Sequence, residues 1–135
     1  MGTDNNRSEF ARWLKQAKFD LSAARGSAKA GSNEWSCFQS QQAGEKALKA
    51  FLFLHGKREV LTHSVYELVG LAGRLDKSAN GLAQAKRLDH FYISTRYPGS
   101  IPADSPHEFF TPEDAQECIR HASTVIEWVE KKGAF

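Results

Sequence analysis

A chain of 135 residues, 41% hydrophobic and 25% charged, has the size and mix of one globular domain, with enough apolar side chains to form a core without disulfides or a structural metal. Its formal net charge of +2 is too small to advertise nucleic-acid binding, and no apolar run approaches the roughly 20 residues of a membrane span. The polar opening from Met1 to Glu9 lacks the apolar stretch of a signal peptide, so a single domain over 1–135, cytoplasmic and with residues 1–7 as a flexible lead, is expected.

The first predicted element is a helix from about Ser8 to Ala30, because Phe10, Trp13, Leu14, Ala17, Leu21, Ala24 and Ala28 keep the three-and-four spacing of one buried stripe. Gly31 stops it. Asn33 is placed to cap a second helix, whose pattern runs from Trp35 through Phe38, Leu48, Phe51 and Leu52 to Gly56. Ser64 and Glu67 have capping-box spacing and open a shorter helix with Val65, Leu68, Val69 and Leu71 on its apolar side. Asn80 to Ile93 reads as a fourth helix. Ser94 to Phe110 carries three prolines and no helical period, so it is expected to be a long loop docked by Tyr97, Phe109 and Phe110. Thr111, Pro112, Glu113 and Asp114 place a cap, a first-turn proline and two acids at the start of the last helix. Its stripe is Ala115, Cys118, Ile119, Ala122, Val125, Ile126 and Val129. The fold class is therefore all-α, a bundle of about five helices with a proline-containing loop before the last one. Cys37 and Cys118 both fall in apolar helical positions, where a thiol acts as a small buried hydrophobe in a reducing compartment.

Charge is uneven: ten Lys and Arg stand against six Asp and Glu through Val60, and eight against ten thereafter, a polarity compatible with a local anion site. On helix one, Lys15, Lys18, Arg25 and Lys29 fall in one narrow sector beside the apolar stripe. Such a row either faces a phosphate or, more commonly, is a solvated edge whose stems cover the core boundary. Phe19 points away from that stripe, and with Trp35, Phe53 and Trp128 it offers surface for self-association.

Helix two carries the main anomaly. At 100° per residue, Gln42, Glu45 and Lys49 share a sector with Phe38 and Leu52, while Ala43, Ala47, Ala50, Phe51 and Leu54 cover the opposite side. A polar line on a helix apolar nearly all round must find partners, since unpaired buried polar groups cost several kcal/mol. Two readings stand: an internal network in which Glu45 pairs with Lys49, four residues on, or a ligand. There is no Gly-rich phosphate loop and no metal-spaced Cys or His cluster, and His55, His63, His90, His107 and His121 are scattered.

The strings AKFDLSAAR, CFQSQQAGEKALKAFL, HSVYELV, FYISTRYPGSIPAD and FFTPEDAQECIRHASTVIEWV resemble successive blocks of the HEPN domain, in order, across nearly the whole chain. QQAGEKALKA at Gln41 to Ala50 followed by ISTRYP at Ile93 to Pro98 carries most of the specificity. The wording is most similar to the branch of the family found at the end of a very large chaperone-related protein. The resemblance implies a helical bundle that forms a homodimer, belongs to a larger chain, and binds a nucleotide such as GTP or ATP in a basic cavity, with no other cofactor and no metal. Carried over, it implies that Lys46, Lys49 and Arg96 supply charge to phosphates, that Tyr97 or Tyr92 stacks on a base, and that Gln42 and Glu45 support them. The competing reading is that Arg96 and Tyr97 only pin the long loop to helix two, with Arg96 pairing Glu45.

No residue is assigned a catalytic role at this point. A ligand-free dimerisation domain is the first alternative. Ribonuclease activity is the lower-ranked one: many HEPN relatives cleave RNA with an Arg followed four to six residues later by His, a spacing that Arg58 and His63 meet. They stand in the connection after helix two, whereas the resemblance implies a pair before the last long helix, where Arg96 and His107 are too far apart.

Overall fold

The computed structural model describes residues 2–102 and 104–134, and its regular elements are all helical. The first stripe folds as α1, Gly2–Lys29, which starts six residues before the expected Ser8. Residues 2–7 are thus helix and not the lead anticipated. Asp4 suits the positive end of the helix dipole, and Arg7 donates through Nη2 to the Gly133 carbonyl at 2.9 Å, so this turn has tertiary partners that no local pattern shows.

Gly31, at φ +83°, breaks the chain before α2, Asn33–Leu54. The cap position is Ser32, not Asn33. Asn33 is the first helical residue and its Nδ2 reaches the Phe110 carbonyl. Sixteen residues of α2 are buried because α1, α3, α5 and the segment after α3 all pack on it. Leu48, Phe51 and Leu52 are enclosed almost completely, each contributing about 1.5–3 kcal/mol relative to exposure. Helix α3, Val65–Leu75, opens on the expected Ser64 cap, whose Oγ accepts from the Glu67 amide at 3.1 Å.

The fourth element, Lys77–Phe91, is a 3₁₀ helix. Its sequence explains the type: Ala79, Leu82, Ala85, Leu88 and Phe91 recur at every third residue. In a 3₁₀ helix residues i and i+3 eclipse, so this row runs straight down one side, and its first four members are buried. Gly44 admits it to α2, since a Cβ there would stand 3.0 Å from Leu88 Cδ1. The proline-containing loop holds a short 3₁₀ turn at Pro98–Ser100 and one turn of α-helix, α4, at Pro106–Phe109. Of its aromatics, Phe110 is buried while Tyr97 and Phe109 stay exposed.

Helix α5, Pro112–Gly133, begins with a full capping box between Thr111 and Asp114. All seven residues of its expected stripe are buried. Cys37 and Cys118 are fully buried free thiols, one each from α2 and α5, and the Cys37 contact together with burial pushes the Cys118 thiol well up. Among the described residues no helix is long and apolar enough to cross a membrane.

Candidate functional site

After α2 the chain turns at Gly56, φ +86°, and residues 57–64 run back without regular structure. Three side chains fix its far end. Gln41 Nε2 donates to the His63 carbonyl at 3.1 Å. Asp89, from the 3₁₀ helix, accepts from Ser64 Oγ and from the Val65 and Tyr66 amides at 3.0, 2.6 and 3.1 Å, a carboxylate on the amides that begin α3. Glu45 holds the ring itself, with Oε2 at 3.1 Å from His63 Nδ1.

Glu45 is buried and meets two further donors, Lys49 Nζ at 2.9 Å and Gln41 Nε2 at 3.3 Å. The internal pair expected on α2 is therefore present, but the buried row is Gln41, Glu45 and Lys49 at intervals of four. Gln42 sits at its edge and donates to Gln41. His63 differs from the rest of this network in keeping 55% of its side chain exposed. Because a carboxylate only accepts, the neutral imidazole carries its hydrogen on Nδ1 and its lone pair on Nε2.

The His63 ring stacks on Tyr92, centroids 5.1 Å apart and planes at 17°. Arg96 reaches the same tyrosine from the next turn. Its guanidinium carbon lies 4.5, 4.8 and 5.3 Å from the ring centroids of Phe38, Tyr92 and Tyr97, and Nε donates to the Tyr92 carbonyl at 2.9 Å. Among the described residues no carboxylate pairs with it, so the expected Arg96–Glu45 pair does not form. Lys49 and His63 occupy that carboxylate instead.

The nucleotide-site residues inferred from the resemblance are thus divided. Tyr92, Arg96 and Tyr97 gather beside His63. Lys49 is turned inward to Glu45, with 7% of its side chain exposed, and Lys46 pairs with Asp20 of α1 at 2.7 Å. Arg58 does not join the cluster either: it donates to the Phe53 and Lys57 carbonyls and to Asn6. The basic row on α1 is exposed, and its Lys18 pairs with Glu130 of α5. Phe53 and Trp128, expected as surface, pack inward against Trp13 and Phe51 at 5.1 and 4.7 Å, whereas Phe19 and Trp35 are exposed.

Gln41 and Asp89 were not singled out by sequence. Gln41 was legible as the residue four before Glu45. Asp89 was not, since only the fold brings it to Ser64. A second carboxylate–imidazole pair, Glu34 with His107 Nδ1 at 3.1 Å, ties α4 to the start of α2. Among the described residues no three His, Cys, Asp or Glu side chains converge as a metal site.

Residues 10–132 match the HEPN domain family model. Putative toxin MJ1304 of Methanocaldococcus jannaschii is 31% identical over 127 residues, covering 87% of this chain and 84% of that protein. Human sacsin is 28% identical over 126 residues, 90% of this chain but 3% of sacsin, so the chain matches one small part of that protein. The crystal structure of TT1696 from Thermus thermophilus superposes with a TM-score of 0.83 at 35% identity, covering 91% of this chain and 97% of that one.

Proposed function

The chain belongs to the HEPN domain family, and from that premise we propose that it is an RNA-cleaving domain in which His63 is the general base. The observation that carries this reading is the half-exposed imidazole held at Nδ1 by the buried Glu45 carboxylate. That arrangement directs the Nε2 lone pair outward, where it takes the proton of a ribose 2′-hydroxyl. The 2′-oxygen then bonds to phosphorus, the bond to the 5′-oxygen breaks, that oxygen leaves as a hydroxyl with a proton from water, and the hydroxide so formed takes back the proton that His63 holds. Arg96 supplies a guanidinium without a carboxylate partner for the phosphate, and the exposed Tyr97 ring offers a face to an unpaired base, whereas Tyr92 is already stacked by His63 and Arg96. Likeness to a protein named as a toxin is compatible with such an activity.

The test uses a fluorescent single-stranded RNA and its 2′-deoxy counterpart. Wild type is expected to cut only the ribose form, and His63→Ala to lose about 10²–10⁴-fold in rate. Equal cutting by a folded His63→Ala would sink the proposal.

A second reading, nucleotide binding without cleavage in a self-associating domain, is favoured by the aromatic surround of Arg96. Calorimetry with GTP, ATP and GDP on protein whose mass is fixed by light scattering tests it. Saturable heat that Arg96→Ala abolishes would support it, and unchanged affinity in that variant would remove Arg96 from the phosphate role.

A further inference from the structure

The outer side of α3 is uncovered and sets Tyr66, Gly70 and Leu71 beside Glu67 and Arg74. Two cavities of about 610 and 520 Å³ flank it, one toward the 3₁₀ helix and one toward the 57–62 run, and they share Glu67, Leu71 and Arg74. Leu61, Tyr66 and Leu75 stand 84%, 66% and 40% exposed around them. In the first of them Gly70 leaves the helix without a side chain, with nothing within 4 Å of the place a Cβ would take. Two depressions astride one ridge fit a protein surface better than a small molecule, which would leave Leu61 and Tyr66 in water.

Charge narrows the occupant. Lys57, Arg58, Arg74 and Lys86 line these cavities against Glu59 and Glu67. Lys57, Arg74 and Lys86 make no ion pair among the described residues, and Arg58 is engaged only by neutral groups. Four cations against two carboxylates leave the face net positive, and a two-fold pair of copies joined through it would set two positive faces together. We propose that the outer face of α3 docks a partner protein that presents a row of apolar side chains flanked by carboxylates. The proposal goes beyond the His63 site and does not depend on it.

The probe is a synthetic helical peptide of about 18 residues with leucines at i, i+3, i+4 and i+7 and glutamates on their flanks, beside a counterpart with lysines in place of the glutamates. Each is titrated into the ¹⁵N-labelled full chain. The acidic peptide is expected to saturate and to shift amides of residues 57–62, 66–75 and 80–86, with the basic one at least about tenfold weaker. Gly70→Trp, which fills the first cavity, is expected to abolish binding, and the pair Arg74→Glu and Lys86→Glu to reverse the preference while leaving the melting curve in place. Three results would overturn the proposal: no binding, equal binding of the two peptides, or shifts confined to another face. A dimer that Leu61→Glu converts to monomer would overturn it in favour of a second copy. None of these results bears on RNA cleavage by His63.

Discussion

At Glu45 one carboxylate serves three donors, and its two oxygens divide the work: Oε1 takes Gln41, while Oε2 takes Lys49 and His63. The Lys49 contact is almost wholly enclosed, both side chains being 7% exposed or less, so it is a pair whose halves depend on each other. Removing one partner of a buried pair leaves the other charge uncompensated, a loss of about 3–5 kcal/mol. Lys49→Met is accordingly expected to destabilise the protein by about 3 kcal/mol in urea unfolding, and adding Glu45→Gln to recover much of it; additive losses would show that the two groups are not coupled. Ser40 lies in the same helix with a fully buried hydroxyl that meets no partner among the described residues. Since an unsatisfied buried hydroxyl costs about 1–3 kcal/mol, Ser40→Ala is expected to raise the unfolding midpoint. Glu45 and Lys49 of the buried row are legible in the sequence at i, i+4, but the helical projection selects Gln42 where the packed helix buries Gln41. The exposure of His63 beside this row is not legible, because that depends on where a loop returns.

Elements here are joined through their ends. Asp76 ends α3, accepts from the Ser78 amide and hydroxyl at the start of the 3₁₀ helix, and pairs with Lys132 of α5 at 2.9 Å. The Ser78 hydroxyl, then Lys132, then the Ser78 amide lower its carboxyl to about 2 from an ordinary 3.8. A carboxyl depressed on folding adds stability above its unfolded pKa, and that contribution drains away as pH falls toward the folded one. Thermal melts between pH 4 and 2 should therefore flatten in Asp76→Asn relative to wild type. An unchanged slope would show that other carboxyls carry the acid sensitivity. Two glycines in helices predict opposite signs. Gly26 of α1 has open space around it, and Gly26→Ala is expected to stabilise by about 1 kcal/mol. At Gly133 of α5 a Cβ would come within 2.0 Å of the Phe10 ring, so Gly133→Ala is expected to lower the melting temperature.

Across the whole molecule, the first and last helices close on each other. Arg7 bonds the Gly133 carbonyl, Phe10 packs on Gly133, and Asn6 holds Arg58 in the run that leads to His63. Deleting residues 2–7 is thus expected to lower stability by about 1–3 kcal/mol through the lost charge-assisted hydrogen bonds, read by urea unfolding; no change would return those residues to the role of a loose lead.

Periodicity alone determined the all-helical class, the buried stripes of α1 and α5, the caps at Ser64 and Thr111, and the stop at Gly31, because each depends on residues within a few positions of one another. The Glu45–Lys49 pair on α2 and the ISTRYP turn were also visible, since their oddity is local. Tertiary structure decided the rest. It turned Lys46 to Asp20 and Lys49 to Glu45, leaving Arg96 among the expected phosphate cations. It also carried His63 back along α2 to a carboxylate 18 residues earlier. Which partner a long cation takes, and where a loop without periodicity returns, depend on distances between elements, and those are set when the helices pack.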